Sequence, residues 1–313
     1  MTRALLFSWD LRLDVILVLG VAAMLYVLGW RRLRTRVQAH PDRAEATVQA
    51  GVTGEQTSRN RPLLARWRLI AYLSGLVIIA IALMSPIDVL GSQLFYMHMI
   101  QHLLVMMVAV PLMMIANPFP VLVWGLPPRG RRTVGGALNQ ESTFRRVVAK
   151  ATSPGIVWLL FVTVYVGWHD QRMYDWALRN NLVHDIQHLS FFAVSMLVWW
   201  HITGAAPRFH RKLSTGQRLI YTISLVPISM FLGIAITFAS QPIFQHYASI
   251  PRLYGLSVMQ DQKVAGLIMW IPGGMMHLLA GVILISQIIQ VEANKPVDPN
   301  PAWLVDEHAT IKR

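Results

Sequence analysis

Apolar side chains fill seven stretches of this chain, at about 13–30, 67–84, 94–116, 154–168, 183–203, 219–239 and 264–290. A helix rises 1.5 Å per residue, so near 20 apolar residues cross a hydrocarbon core of about 30 Å. The pattern predicts an all-α polytopic membrane bundle of seven transmembrane helices. The fourth run is the shortest and is expected to borrow residues before Pro154. Arg3 precedes the first run, as it would a secretory leader. However, Asp10 and Asp14 interrupt the approach, no small-residue cleavage site follows, and Trp30-Arg31-Arg32 reads as an interfacial stop, so this run too is read as a helix.

Polar stretches complete the plan. Residues 38–60 are rich in Gly, Thr and Gln and read as a flexible cytoplasmic loop within a transmembrane domain covering 1–290. Residues 291–313, with Pro296, Pro299 and Pro301, read as a polar cytoplasmic tail. The segment 138–150 is basic and moderately amphipathic, with Phe144, Val147 and Val148. It reads either as an interfacial helix on the inner leaflet or as a plain basic loop.

Composition agrees with this class. Of 313 residues, 54% are hydrophobic and 14% charged, against roughly 25% charged in soluble domains. The net charge of +13 would suggest nucleic acid in a soluble protein, but its distribution points elsewhere. Arg31, Arg32, Arg34, Arg36, Arg43, Arg59, Arg61 and Arg66 follow the first helix. Arg129, Arg131, Arg132, Arg145, Arg146 and Lys150 follow the third, and Arg208, Arg211, Lys212 and Arg218 the fifth. Alternate connections carry only Arg172, Arg179, Arg252 and Lys263. Positive residues stay cytoplasmic, which puts the N-terminus outside and the C-terminus inside. The expected surroundings are a lipid bilayer, with no nucleic acid.

Within this frame one phrase occurs twice, His98-Met99-Ile100-Gln101-His102 and His184-Asp185-Ile186-Gln187-His188. Residues i and i+4 share a helix face, so each phrase stacks two imidazoles. Histidines in spanning helices usually face the bundle interior, where they bind, relay protons or bond a neighbouring helix. Helices three and five both enter from outside, which brings His98, His102, His184 and His188 into the outer leaflet. His169 and Asp170 close helix four on the same side, and Asp88 precedes helix three. His201 and His210 fall on the cytoplasmic side, His40 and His308 in polar segments, and His246 in an outer loop. His277 follows Pro272-Gly273-Gly274, a kink expected to free backbone carbonyls. Met106 lies one turn below His102.

There is no cysteine among the 313 residues, and 16 methionines, so any soft ligand is a thioether. Imidazole with optional thioether facing outward suits copper; all-imidazole zinc and bis-histidine haem remain open. The candidate metal ligands are His98, His102, His184, His188 and His169, with Asp88, Met106 and His277 as weaker candidates. No catalytic residues are assigned. The chain has no Gly-rich phosphate loop, no G-x-S-x-G elbow and no H-E-x-x-H, since both phrases carry Gln where a zinc protease needs Glu. The 15 acidic residues lie mostly in loops, which leaves paired-carboxylate chemistry unsupported.

Longer motifs carry a resemblance. These are Ser85-Pro86-Ile87-Asp88 ahead of the first phrase, Trp168-His169 with Tyr174-Asp175 and Ala177-Leu178, and His188-Leu189-Ser190-Phe191 with Trp199-Trp200. Asp261-Gln262 with Ala265-Gly266, and Met269-Trp270 with Pro272-Gly273-Gly274, follow in order. Together, over roughly residues 60–290, the sequence resembles the CtaG-type cytochrome c oxidase assembly factors of bacteria. The resemblance implies a non-enzymatic, multi-pass inner-membrane protein that partners cytochrome c oxidase subunits and delivers copper to the oxidase. A haem-binding electron-transfer protein and a metal-free assembly scaffold are the competing readings.

Overall fold

The computed structural model describes residues 8–39, 64–211 and 213–294. The expected loop at 38–60 and tail at 291–313 lie almost wholly outside these residues, as do His40, Arg43, Arg59, Arg61, Lys212 and His308. The described residues form helices and no strand. Six helices are long and apolar enough to span a membrane, or seven if one bent pair counts as a single span.

The helices depart from the apolar runs chiefly at their ends. Helix α1 (Leu13–Ala39) continues past Trp30 because the arginines end the apolar run without ending the helix. Helix α2 (Arg66–Met84) stops where Pro86 cannot continue it; Ser85 caps the short α3 (Pro86–Gly91) by accepting from the Ile87 amide. Helix α4 (Phe95–Ile115) widens to π geometry over Leu104–Ala109. In that i→i+5 register Pro111 should donate to the Met106 carbonyl, and proline has no N–H to give. The Trp199 indole takes the place, donating to Met106 O at 3.2 Å.

After left-handed Asn117 the chain folds back as α5 (Pro118–Gly125). Gly29 and Gly125 let α1 and α5 touch backbone to backbone, since a Cβ at Gly29 would stand 1.8 Å from Val121 O. Helices α6 (Pro128–Ala137) and α7 (Thr143–Ala151) are exposed; Phe144 and Val147 of α7 present apolar surface outward. Helix α8 (Pro154–Trp168) has 15 residues, about 22 Å. It is too short to span alone. It reaches spanning length only with α7, from which it bends by 56° at the break before Pro154.

Helix α9 (Gln171–Arg179) is capped by Asp170. Helix α10 (Asn181–Thr203) starts at its Asn180 cap and ends at left-handed Gly204. Helix α11 (Thr215–Phe238), the short α12 (Gln245–Ser249) and the 36-residue α13 (Val258–Ala293) complete the bundle. Helices α4 and α10 run parallel. His98 faces His184, His102 faces His188, and Met106 meets Trp199 further along. The main core lies where α4, α8, α10, α11 and α13 meet, and a second cluster around stacked Tyr26 and Tyr72 joins α1, α2, α4 and α5. Large apolar side chains elsewhere, such as Ile70, Leu189, Phe231 and Val282, point outward, as a lipid-facing surface requires.

Candidate metal centre

The two histidine phrases meet. His98, His102 and His188 are buried and offer ligand atoms that all lie within 4.8 Å of one another. Ring centroids are 4.4 Å apart for His98 and His102, 4.7 Å for His102 and His188, and 5.7 Å for His98 and His188. His184 completes the group, its Nε2 lying 3.0 Å from His188 Nε2 and its ring 5.2 Å from His98. Two nitrogens each about 2 Å from one ion stand at most about 4 Å apart, so small rotamer movements suffice to converge them on an ion.

Hydrogen bonding fixes which nitrogens are free. Tyr247 donates its single proton to Gly91 O at 2.8 Å, so its oxygen accepts from His98 Nδ1 at 3.2 Å. His98 therefore carries a proton on Nδ1, which leaves Nε2 as the nitrogen free to take a ligand. Likewise His169 Nδ1 lies 2.6 Å from the Tyr165 carbonyl, which only accepts, leaving Nε2 as a lone pair. His98 Nε2, His169 Nε2, His188 Nδ1 and both nitrogens of His102 are buried without a hydrogen-bond partner. Leaving such groups unmet costs about 1–3 kcal/mol each, a cost that a bound cation offsets at each nitrogen that offers it a lone pair.

His169 does not touch the triad but shares with His102 a cavity of about 30 Å³, room for a water or an ion. Met99, Met106 and Met269 also line it, so the thioether expected one turn below His102 faces the same space. His277 lies apart, stacked on Trp199 at 5.6 Å, with the Gly273 carbonyl one turn back within reach of its ring. His246 bonds the Ser92 carbonyl and lies edge-on to Tyr247 rather than joining the cluster.

Of the acidic candidates, Asp170 is a helix cap, accepting from the Arg172 and Met173 amides. Asp88 accepts from Gln101 Nε2 at 2.6 Å, and Gln101 also donates to Ala82 O. Burial pushes the Asp88 carboxyl above the ordinary carboxylate range, against the opposing pull of the Gln101 bond. Asp88 shares a second cavity, about 370 Å³, with Arg12, Asp14, His184, Asp185 and His188. At its rim Arg12 bridges Asp14 and Asp185 at 2.7 and 2.5 Å.

The contacts of three supports were invisible in the sequence pattern: those of Tyr247, of Arg12 paired with Asp185, and of Asp261. Asp261 accepts from the Phe95 and Tyr96 amides and pairs with Arg252 at 2.8 Å. It thus anchors the first turn of α4 and the depth of His98 below it. Gln262 accepts from the Ile243 amide, holding the segment that carries Tyr247. Their motif was legible, but their contacts span up to 166 residues, beyond the reach of local periodicity.

The fold and site together define a helical membrane protein with a buried imidazole cluster near one end. Comparison with known proteins narrows that class. The chain belongs to the cytochrome c oxidase caa3 assembly factor family (Caa3_CtaG), whose model matches residues 24–290. It is also 26% identical over 228 residues to uncharacterized proteins of Mycobacterium bovis and Mycobacterium tuberculosis, and 25% identical over 223 residues to one of Mycobacterium leprae. Each match covers 70% of this chain and 34% of the relative; the chain spans about a third of these relatives' length. No solved structure matches it.

Proposed function

We propose that this protein assists assembly of a haem-copper cytochrome c oxidase by holding copper at the His98, His102 and His188 cluster and passing it to oxidase apoprotein. The observation that carries the reading is the convergence of three buried imidazoles whose ligand atoms lie within 4.8 Å. His184 and His169 serve as exchange ligands at its two edges, and the role is non-enzymatic. Charge bias supports an outward-facing site in a bacterial plasma membrane, with the N-terminus outside.

Two physical arguments favour copper, held as a monovalent ion. Neutral imidazoles and nearby thioethers are softer than the donors that hold magnesium or calcium. The cluster itself supplies no negative charge, and the cost of burying an ion grows with the square of its charge. Haem fits the site poorly. A third imidazole nitrogen within 4.8 Å of the other two occupies space that a macrocycle held between them would fill.

A metal and haem inventory of purified protein tests the reading. Near-stoichiometric copper without a Soret band supports it. A Soret band would replace it with electron transfer. Protein free of copper and zinc, together with unchanged oxidase copper content on gene deletion, would leave a metal-free scaffold.

A further inference from the structure

The end of the bundle opposite the histidines holds a second site of different chemistry. A cavity of about 430 Å³ opens there among α2, α4, α10, α11 and α13, and Arg68, Arg208 and Arg218 line it, with no acidic residue among the described residues that do. Arg218 is only 8% exposed. Its Nη2 donates to Gln287 at 3.2 Å, while its Nε is buried without a partner. Arg68 Nε is likewise buried and unpartnered, with Nη1 held by the Ile115 carbonyl at 2.9 Å.

Placement makes this charge more costly. Arg68 and Arg218 sit in the first turns of α2 and α11, where the helix dipole favours anions and opposes cations. The C-terminal ends of α4 and α10, which border the same space, contribute about half a negative charge each and cancel the two helix N-termini. Among the described residues no acidic group compensates the Arg68 and Arg218 guanidiniums in this partly apolar pocket, and exposed Arg208 adds a third positive charge at its edge. Ile283, Leu284 and Met114 supply an apolar wall, and Trp67, half-exposed and 4.8 Å from the Arg68 guanidinium, stands at its edge. Fixed donors, an apolar wall and an interfacial indole match a phosphate group carried on hydrocarbon.

We infer that this cavity binds the phosphate group of an anionic ligand, with the headgroup of an acidic phospholipid as the occupant that uses both its arginines and its apolar wall. The site does not depend on copper binding. The test uses delipidated full-length protein titrated with phosphatidylglycerol, phosphatidylcholine and inorganic phosphate, following bound lipid by native mass spectrometry and thermal stability. Phosphatidylglycerol should bind about tenfold or more tighter than phosphatidylcholine and raise the melting temperature. Arg68→Gln/Arg218→Gln should erase that preference, whereas Arg129→Gln, on exposed α6, should keep it. Competition by millimolar inorganic phosphate would assign the site to free phosphate. Equal binding of the two lipids by the wild type, with no effect of inorganic phosphate, would overturn the proposal without reference to any variant.

Discussion

Two groups of histidines stand near opposite ends of the same bundle and differ in what their ring nitrogens meet. Toward the basic end, His201 Nε2 bonds the Thr152 carbonyl at 3.0 Å and His210 Nε2 lies 3.4 Å from the Thr152 hydroxyl. Those two rings tie α10 and the following loop to the bend before α8. At the other end His102 has no partner on either nitrogen, and His98, His169 and His188 each keep one free. Residue type and helix are the same in part, since His188 and His201 both belong to α10. What differs is the remaining nitrogen: His201 donates an N–H to the Thr152 carbonyl much as His169 does to Tyr165, but only at the candidate site are other ring nitrogens buried, unpartnered and gathered together. Available nitrogens that converge, as those of His277 do not, mark the candidate site.

The sharpest way to break this comparison is to remove a member of each group. His102→Ala or His188→Ala should weaken copper binding more than about 100-fold, above the 10–100-fold typical of residues that only orient ligands. His201→Ala should change it less than about twofold. Competition against a chromogenic copper(I) chelator reads both, and equal losses would erase the distinction between the groups.

Tyr247→Phe gives the next largest effect. The ring still packs against Phe95, but the acceptor that holds His98 Nδ1–H is gone, so affinity should fall about tenfold. An unchanged affinity would mean that packing alone orients His98. His201→Ala, neutral for copper, should instead destabilise the fold by about 1–3 kcal/mol, because it strips the Thr152 carbonyl of its partner; a thermal melt checks this. The smallest effect is kinetic. Asp185→Asn should slow copper loading a few-fold at low ionic strength, since the acidic rim raises the local cation concentration, and leave the equilibrium affinity within about twofold. Stopped-flow traces identical to wild type at low salt would remove the rim from the loading route.

Much of this contrast is legible in the sequence. The i, i+4 spacing put His98 with His102 and His184 with His188, and parallel entry of their helices set them at one level. Met106 followed from the same helix face. What periodicity could not supply was contact across long sequence separations, such as Tyr247 on His98 or Arg12 on Asp185, 173 residues apart. Hydropathy also reads the membrane boundary rather than the helix end. It stopped the first helix near Trp30, though the backbone stays helical to Ala39, and began the last at 264, though the Ser257–Gln260 capping box starts it at Val258. The short fourth run reaches spanning length only if the residues before Pro154 count with it, and those meet it at a bend of 56°, because a prolyl residue cannot donate to the turn before it.

The central claim is that α4 and α10 contribute to one shared copper site. A thermodynamic cycle on His102→Ala, His188→Ala and the double variant, by copper(I) titration, tests it most directly. The account predicts that the double variant binds little more weakly than the weaker single variant, because either removal already disables the common site. Losses that add in free energy would mean independent sites on the two helices and would contradict it.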